Sequence, residues 1–253
     1  MKKEKSFRVF VIYAILLQFA ILLSFDAKYS KSILPIQNYT TRDSTVQILI
    51  AYADLEAGET TDVAMTGTGT IIYDTGNVGY VLTARHVCYQ EQNTTLMLMG
   101  LIPVIEVYDV DGVYHSATVA LLSTDDDLCI LKFEPTDYGT RTVADIADRP
   151  PTPGESVSMY AAPAGFYVPS AIARFSGEYN GLAEIYGGVT SVFTMPAAGG
   201  SSGGGITNSK GEVVGVLHST LREFHHISLG TSYDSTIGFI EQLEIEENVK
   251  ILD

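Results

Sequence analysis

The residues best suited to chemistry lie in a glycine-rich stretch, Gly199-Gly200-Ser201-Ser202-Gly203-Gly204-Gly205. Glycine is kept where the backbone takes a positive φ or approaches another group closely, so this stretch predicts a tight loop. A serine in such a loop is exposed, and the neighbouring amides are free to point at an incoming oxygen. That arrangement suits a nucleophile beside an oxyanion hole. A flexible Gly/Ser linker is the ordinary alternative for this composition.

Two segments upstream contain the partners that a serine nucleophile needs. His86 lies in Leu82-Thr83-Ala84-Arg85-His86-Val87, and the acidic run Asp125-Asp126-Asp127 leads directly into an apolar segment. Taken singly, a lone histidine is most often structural and an acidic run is most often a solvated turn. Taken together, they give a histidine, then an aspartate heading a strand, then a serine in a glycine-rich turn. A base oriented by a third group is what activates a serine hydroxyl.

The composition indicates a folded core that could position these groups. Of the 253 residues, 46% are hydrophobic and 18% are charged, and the formal net charge is −15. This acidic balance argues against nucleic acid or anionic lipid as a partner of the folded part, because phosphate binding needs a basic face. The many aromatic, β-branched and glycine residues favour short strands and turns.

Short apolar runs separated by turn signals predict eleven strands after Ser44. No convincing amphipathic helix intervenes, so the pattern predicts an antiparallel barrel or sandwich rather than βαβ units. The proline-rich segment 149–154 divides the strands into two halves, and residues 241–252 are a candidate C-terminal helix. The predicted strands are Val46–Tyr52, Gly69–Tyr73, Tyr80–Thr83, Val104–Tyr108, Tyr114–Leu122, Leu128–Phe133, Ser156–Ala161, Ala171–Gly177, Val189–Met195, Glu212–His218 and Thr236–Ile240.

The N-terminal segment is interpreted as an uncleaved membrane anchor, with a cleaved signal peptide as the alternative. Three lysines and Arg8 precede the apolar run Val9–Phe25. This run exceeds the roughly 7–15 residues of a signal-peptide core. It just reaches the roughly 17 residues needed to span a bilayer. The basic residues should stay in the cytoplasm, so the folded domain is expected outside it, periplasmic or extracellular, or secreted if the segment is cleaved.

Three motifs in a fixed order resemble the trypsin/chymotrypsin-like serine proteases. Thr83-Ala84-Arg85-His86 is similar to the family's Thr-Ala-x-His, and Asp127-Leu128-Cys129-Ile130-Leu131 to its Asp-[Ile/Leu]-Ala-Leu-Leu. Gly200-Ser201-Ser202-Gly203-Gly204 is similar to its Gly-x-Ser-Gly-Gly. The segments 67–72 and 211–216 resemble strands of the bacterial Deg/HtrA-like branch. The resemblance covers about residues 44–242 and rests on motif context.

The resemblance implies an all-β fold of two six-stranded antiparallel β-barrels with the active site between them, preceded by one N-terminal membrane-anchor or signal helix. Residues 1–26 would be the anchor or signal peptide, 27–43 a tether and 44–253 the protease domain. Barrel one would span about 44–148 and barrel two about 154–242. No PDZ domain is expected.

The implied activity is that of a serine endopeptidase acting on protein or peptide substrates, without a cofactor. His86, Asp127 and Ser202 are the implied catalytic residues, and the amides of Gly200 and Ser202 form the implied oxyanion hole. Ser202 is preferred to Ser201 because two glycines follow it directly. A catalytically inactive module kept for binding is the alternative function. The sequence leaves the oligomeric state and the natural substrate open.

The resemblance also indicates where the specificity pocket lies. The matching positions fall near Pro196 and on Leu217, His218, Ser219 and Thr220. Position 196 is a proline and offers no carboxylate that could attract a Lys or Arg side chain of the substrate. A modest pocket for small or medium apolar side chains is therefore expected. Glutamyl endopeptidases carry a histidine one residue away from His218, and one residue along a strand reverses the face. His218 is therefore expected to point away from the pocket, with cleavage after Glu as the alternative.

Cys88 and Cys129 both lie close to the implied triad. In an exported protein they could form a disulfide. Two buried free thiols are the alternative, because cysteine is among the most buried residue types. No metal site is expected, since no Cys/His pairs show zinc spacing. His225-His226 is interpreted as part of a solvated loop.

Overall fold

The described part of the chain consists of short strands that pair with their neighbours, joined by turns and a few helices. The computed structural model describes residues 39–252, apart from 55, 57, 62–64, 90–95, 136–139, 186 and 222–223. Its elements are α1 (Tyr39–Asp43), β1 (Thr45–Asp54), β2 (Glu59–Thr60), β3 (Met65–Asp74), β4 (Gly79–Thr83), α2 (Arg85–Cys88), β5 (Leu101–Tyr108), β6 (Tyr114–Leu122), β7 (Cys129–Phe133), β8 (Ser156–Ala161), a 3₁₀ turn (Pro163–Gly165), β9 (Ala173–Ile185), β10 (Gly188–Phe193), β11 (Gly205–Thr207), β12 (Val213–Leu221), β13 (Phe224–Thr231) and α3 (Tyr233–Glu247).

The strands close into two antiparallel barrels. The first barrel runs β1-β3-β4-β7-β6-β5, with β5 pairing back onto β1, and β2 adds two residues to the edge of β1. The second barrel closes in the order β10-β13-β12-β11-β8-β9. Closure pairs the strand edges that an open sheet would expose. The predicted pair of six-stranded barrels is confirmed.

Each barrel has its own apolar core. Ile48, Val81 and Leu131 are fully buried in the first barrel, and Met159 and Phe193 are fully buried in the second. Burying one such side chain contributes about 1.5–3 kcal/mol. Together the two cores fix the ends of β4, β7 and β12, where the candidate site residues lie.

Helix α3 follows the last strand of the second barrel and packs against both barrels. Phe239, Ile240 and Leu243 belong to an apolar cluster that contains the core of the first barrel together with Val213 and Val216 of β12. At the end of the helix, Glu247 accepts hydrogen bonds from the Tyr80 hydroxyl at 2.6 Å and from the Lys132 ammonium at 2.7 Å. The helix therefore connects the two barrels.

The predicted strand Thr236–Ile240 is wrong, because these residues lie inside α3. The side chain of Ser232 caps the helix by accepting a hydrogen bond from the Ser235 amide. The buried positions Thr236, Phe239, Ile240 and Leu243 follow a helical spacing of three and four residues. The predicted terminal helix thus begins at Tyr233 rather than at residue 241. His225 and His226 lie in strand β13 rather than in a solvated loop.

A buried ionic network joins two turns of the first barrel to the segment that leaves it. The Asp109 carboxylate accepts hydrogen bonds from His115 Nε2 at 2.9 Å and Arg141 Nε at 3.1 Å. It also accepts from the amides of Asp111 and Val113. Asp74, the last residue of β3, accepts from the Arg141 amide at 2.6 Å. Burial alone raises the pKa of Asp109, but the bonds from His115, the Val113 amide and Arg141 outweigh it and lower that pKa.

The predicted anchor Val9–Phe25 lies outside the described residues. Within the described part of the chain, no helix is long and apolar enough to cross a membrane.

Candidate active site

The structure brings His86 and Asp127 into direct contact at the open ends of strands β4 and β7. His86 Nδ1 lies 2.7 Å from Asp127 Oδ2, and the His86 amide donates to Asp127 Oδ1 at 2.9 Å. Burial alone raises the pKa of Asp127, but the hydrogen bonds and charge of His86 outweigh it and hold that pKa below its usual range. Asp127 is therefore ionised at neutral pH and fixes the orientation of the imidazole.

The glycine-rich loop has the tight geometry that its sequence predicts. Gly200 and Gly203 have φ values of +87° and +88°. A Cβ on Gly200 would lie 2.5 Å from the Ala162 carbonyl oxygen, and one on Gly203 would lie 2.0 Å from Thr83 Oγ1. Both positions therefore require glycine for conformation and for space.

The two serines of the loop differ in their exposure to solvent. Ser201 is fully buried, and its hydroxyl has no hydrogen-bond partner among the described residues. Ser202 is partly exposed. Ser202 is thus the serine of this loop that a substrate can reach.

Thr68 on β3 fastens this second-barrel loop to the first barrel. Its amide donates to the Ser202 carbonyl at 2.8 Å, and its hydroxyl donates to the Gly200 carbonyl at 2.7 Å. Its own carbonyl accepts from the Thr83 hydroxyl at 2.7 Å. Because Thr83 lies three residues before His86, these bonds place the Ser202 backbone beside the turn that carries the histidine. The residues around Thr68 do not predict this role, although the segment 67–72 resembles a strand of the protease family.

The opposite side of the glycine-rich loop is hydrogen-bonded to the 3₁₀ turn that follows β8. The Ala164 amide donates to the Gly199 carbonyl at 2.5 Å. Ala164 itself has φ +52°, an unusual value for a residue with a side chain. The donors and acceptors of a trans peptide point in opposite directions, so this bond turns the Gly200 amide away from the Ala164 turn. In the described part of the chain, the amides of Gly200 and Ser202 donate to no protein acceptor.

The Ser202 hydroxyl makes no hydrogen bond to His86 or to any other described residue. Bonds of this kind are often long without a substrate and tighten in the productive complex. The hydrogen-bonded pair His86–Asp127 is therefore formed in this structure, whereas no hydrogen bond joins Ser202 to His86.

The specificity-pocket candidates follow the glycine-rich loop along strand β12. Leu217 exchanges backbone hydrogen bonds with the loop: its carbonyl accepts from Gly203 and its amide donates to Gly204. Its side chain is buried in the second barrel's core. Ser219 and Thr220 are partly exposed, as is Pro196.

His218 lies at a bulge, where the pairing of β12 with β13 shifts between Leu217 and Ser219. Its Nδ1 lies 2.9 Å from Ser219 Oγ. Burial lowers the pKa of His218, the charge of Asp127 opposes that change, and the charge of His86 adds to it. The charges of Asp127 and His86 thus both act on His218. β-Bulges are common next to active sites, where they change the direction of a side chain.

Cys88 and Cys129 form a disulfide, with their Cα atoms 6.5 Å apart. The alternative of two free thiols is therefore wrong. The crosslink joins residues 41 positions apart. On a chain-entropy model, a loop of this length contributes about 4 kcal/mol to stability.

Comparisons with known proteins identify a matching family and a structure of similar fold. A family model described as "Trypsin-like peptidase domain" matches residues 67–216. A crystal structure of the serine endoprotease from Yersinia pestis is similar in fold, with a TM-score of 0.62 and 20% sequence identity. That similarity covers 84% of this chain and 68% of the Yersinia chain. A search of curated proteins finds no match.

The family match begins on β3, ends on β12 and includes His86, Asp127 and Ser202. It covers more than half of the chain. This protein therefore belongs to the trypsin-like peptidase family and is a serine-type peptidase.

Proposed function

We propose that this protein is an endopeptidase that hydrolyses peptide bonds in protein substrates through Ser202, His86 and Asp127. The observation that carries the proposal is the bidentate contact of Asp127 with His86, at 2.7 and 2.9 Å, beside a glycine-rich loop that exposes one serine. This contact holds the imidazole with Nδ1 protonated. Nε2 is then left as the acceptor for a serine proton.

The proposed reaction begins when Ser202 Oγ attacks the carbonyl carbon of the scissile bond. His86 Nε2 takes the serine proton and then delivers it to the departing amine, which leaves an acyl-enzyme ester on Ser202. A water molecule, deprotonated by the same histidine, hydrolyses the ester and restores the hydroxyl. Asp127 stabilises the imidazolium throughout and stays ionised, in accord with its lowered pKa.

The amides of Gly200 and Ser202 are the proposed oxyanion hole. Two features support this role. Neither amide has a protein acceptor in the described part of the chain, and the peptide groups before and after Gly200 are each held by a hydrogen bond, from Ala164 and from Thr68 respectively. Preorganised donors are worth more than mobile ones, because they need not reorganise as charge develops. Losing one such donor costs about 3–4 kcal/mol of transition-state stabilisation.

The proposed pocket for the side chain before the scissile bond uses Pro196, Leu217, Ser219 and Thr220. None of these residues carries a charge, so we propose that the pocket takes small or medium apolar side chains. His218 belongs with the His86–Asp127 pair in this proposal, in keeping with the effect of both charges on the pKa of His218. Strong cleavage after Arg or Lys would contradict the proposed pocket. Cleavage after Glu that is lost in His218→Ala would assign the histidine to the pocket instead.

For the cellular location, we propose that Val9–Phe25 anchors the chain and that the protease domain lies outside the cytoplasm. The basic residues before the apolar run support this orientation. In a fractionation experiment the protein should be recovered with membranes, and protease added from outside should digest the folded domain. A soluble product that begins near residue 28 would establish a cleaved signal peptide instead.

The test of the proposed activity is hydrolysis of a peptide library by the full chain, with Ser202→Ala as the matched inactive control. We expect cleavage products from the unaltered protein alone, with preferences that define the pocket. If the unaltered protein cleaved no peptide and did not react with a fluorophosphonate, the proposal would fail. An inactive binding module would then be the better assignment.

A further inference from the structure

We propose that the Cys88–Cys129 disulfide is a positioning element for the catalytic pair, an inference that rests on the proposed function. The bond joins two residues that have the same offset: Cys88 lies two residues after His86, and Cys129 lies two residues after Asp127. The crosslink and the His86–Asp127 hydrogen bonds therefore connect the same two short segments.

The disulfide lies where the backbone ladder between these segments ends. Strands β4 and β7 pair from Gly79↔Phe133 to Thr83↔Cys129, and no ladder pair follows. His86 lies beyond the end of β4, and Asp127 lies before the start of β7. Past the Thr83↔Cys129 pair, covalent and side-chain contacts must keep the two segments together.

The short helical turn that carries His86 is not stable without contacts to the rest of the fold. Helix α2 has four residues and no side-chain cap on its first turn. Isolated helices this short are unstable in water. Val87 packs tightly against Gly67 at the middle of the turn, where a Cβ on the glycine would lie 2.5 Å from Val87 Cγ1. The disulfide anchors the end of the turn, where Cys88 is its last residue.

Both sulfur-bearing residues are buried, Cys88 with 4% of its surface exposed and Cys129 with none. By contrast, the side chains that the bond would position are 44% exposed for His86 and 31% for Asp127. The disulfide is therefore fixed by its contacts within the apolar core. In this proposal it in turn restrains the positions of His86 and Asp127, whose side chains are partly exposed to water. A half-exposed hydrogen bond is a weak constraint by itself, because water competes for both partners.

The test compares the unaltered chain with the double variant Cys88→Ala/Cys129→Ala, at a temperature where both are folded. A displacement of about 1 Å in a catalytic group can cost 100-fold, so we expect kcat to fall about 10- to 100-fold with little change in KM. Ile105→Ala is the matched control, because it opens a cavity in the same barrel on β5, which pairs with β1 and β6. The control should lose stability but keep kcat.

A second measurement separates positioning from catalysis. The proton between His86 Nδ1 and Asp127 gives a low-field NMR signal when the bond is short and persistent. We expect this signal in the unaltered chain and in Ile105→Ala, and its loss or broadening in the double variant. This arm does not require peptide hydrolysis, so it remains informative if the proposed activity fails. Failure of that activity would instead appear as an unaltered chain that cleaves nothing.

If Cys88→Ala/Cys129→Ala does not fold, Cys88→Val/Cys129→Ala replaces it, because the larger valine side chain refills part of the space that the buried sulfur atoms occupy. The same fall in kcat and the same loss of the low-field signal are expected. A double variant of either kind that is folded, retains kcat within twofold and keeps the signal would overturn the positioning role.

Discussion

Asp127→Asn should abolish most of the turnover while leaving the fold intact, for a reason that the geometry of the carboxylate dictates. One carboxylate oxygen accepts from the His86 amide at 2.9 Å, and the other faces His86 Nδ1 at 2.7 Å. A backbone amide can only donate, so the carbonyl oxygen of an asparagine must occupy the first position. Its NH₂ group then faces Nδ1 and can be accommodated only if Nδ1 is unprotonated.

The consequence is an imidazole with the proton on the wrong nitrogen. Nε2 becomes a donor and cannot accept the proton of Ser202. Substitutions of this kind in Ser-His-Asp triads lower kcat about 10⁴-fold, which corresponds to about 5 kcal/mol of transition-state free energy. The loss should be in kcat, because the substitution leaves the proposed pocket unchanged.

The assay is steady-state hydrolysis of the best library peptide at neutral pH, with circular dichroism and thermal unfolding to verify the fold. Asp126→Asn is the matched control: the same change on the adjacent residue, where it leaves the contact with His86 intact. We expect the control to retain kcat within a few fold. An Asp127→Asn enzyme that is folded and loses less than tenfold in kcat would refute the tautomer argument.

Two further predictions concern the oxyanion hole and the buried network. Gly200→Ala should lower kcat by about 10²–10³-fold. The new methyl group would lie 2.5 Å from the Ala162 carbonyl oxygen and would displace the Gly200 amide, one of the two proposed oxyanion donors. A variant with normal kcat would exclude the Gly200 amide as an oxyanion donor. Asp109→Asn should cost about 1–3 kcal/mol of unfolding free energy in denaturant titrations, because it removes one of the two buried carboxylates that face the Arg141 guanidinium, and Asp74 remains. The exposed Asp111→Asn should change it by less than about 0.5 kcal/mol, and equal effects would contradict the network's importance.

The lowered pKa of Asp109 also predicts how stability depends on pH. A carboxylate whose pKa is lower in the folded state stabilises the fold at pH values above its unfolded pKa of about 3.9. That contribution is lost as the pH falls through the folded value. Urea titrations from pH 6 to pH 2 should show a smaller loss for Asp109→Asn than for the unaltered chain. Identical slopes would show that Asp109 is not part of the acid response.

The all-β class and the locations of His86, Asp127 and the glycine-rich loop could be predicted because their signals are local, whereas the pair of barrels was implied by the family resemblance. Alternating strands, turn residues and the glycine register each depend on a few adjacent positions. The predicted strand Thr236–Ile240 was wrong because it was judged from five adjacent residues alone. Its β-branched residues favour a strand, whereas the helical spacing of Thr236, Phe239 and Leu243 is visible only over a longer segment. Strand β11 is three residues long and begins within the glycine run, so no periodicity marks it.

The parts that the sequence did not predict depend on contacts between distant segments. Thr68 fastens a loop more than 130 residues away, and nothing in its neighbours marks its hydroxyl as a link between barrels. The choice between disulfide and thiols for Cys88 and Cys129 required their separation in space, which only the pairing of β4 with β7 provides. The location of His218 depends on a bulge that shifts the register by one residue.

The most direct test of the central claim is to find which residue becomes covalently modified by a fluorophosphonate. The full chain is treated with the probe and digested, and the adduct is located by tandem mass spectrometry. Ser202→Ala, Ser201→Ala and His86→Ala serve as variants. The account predicts an adduct on Ser202 in the unaltered chain and in Ser201→Ala, and none in Ser202→Ala or His86→Ala. An adduct on Ser201, or labelling that persists without His86, would contradict the account.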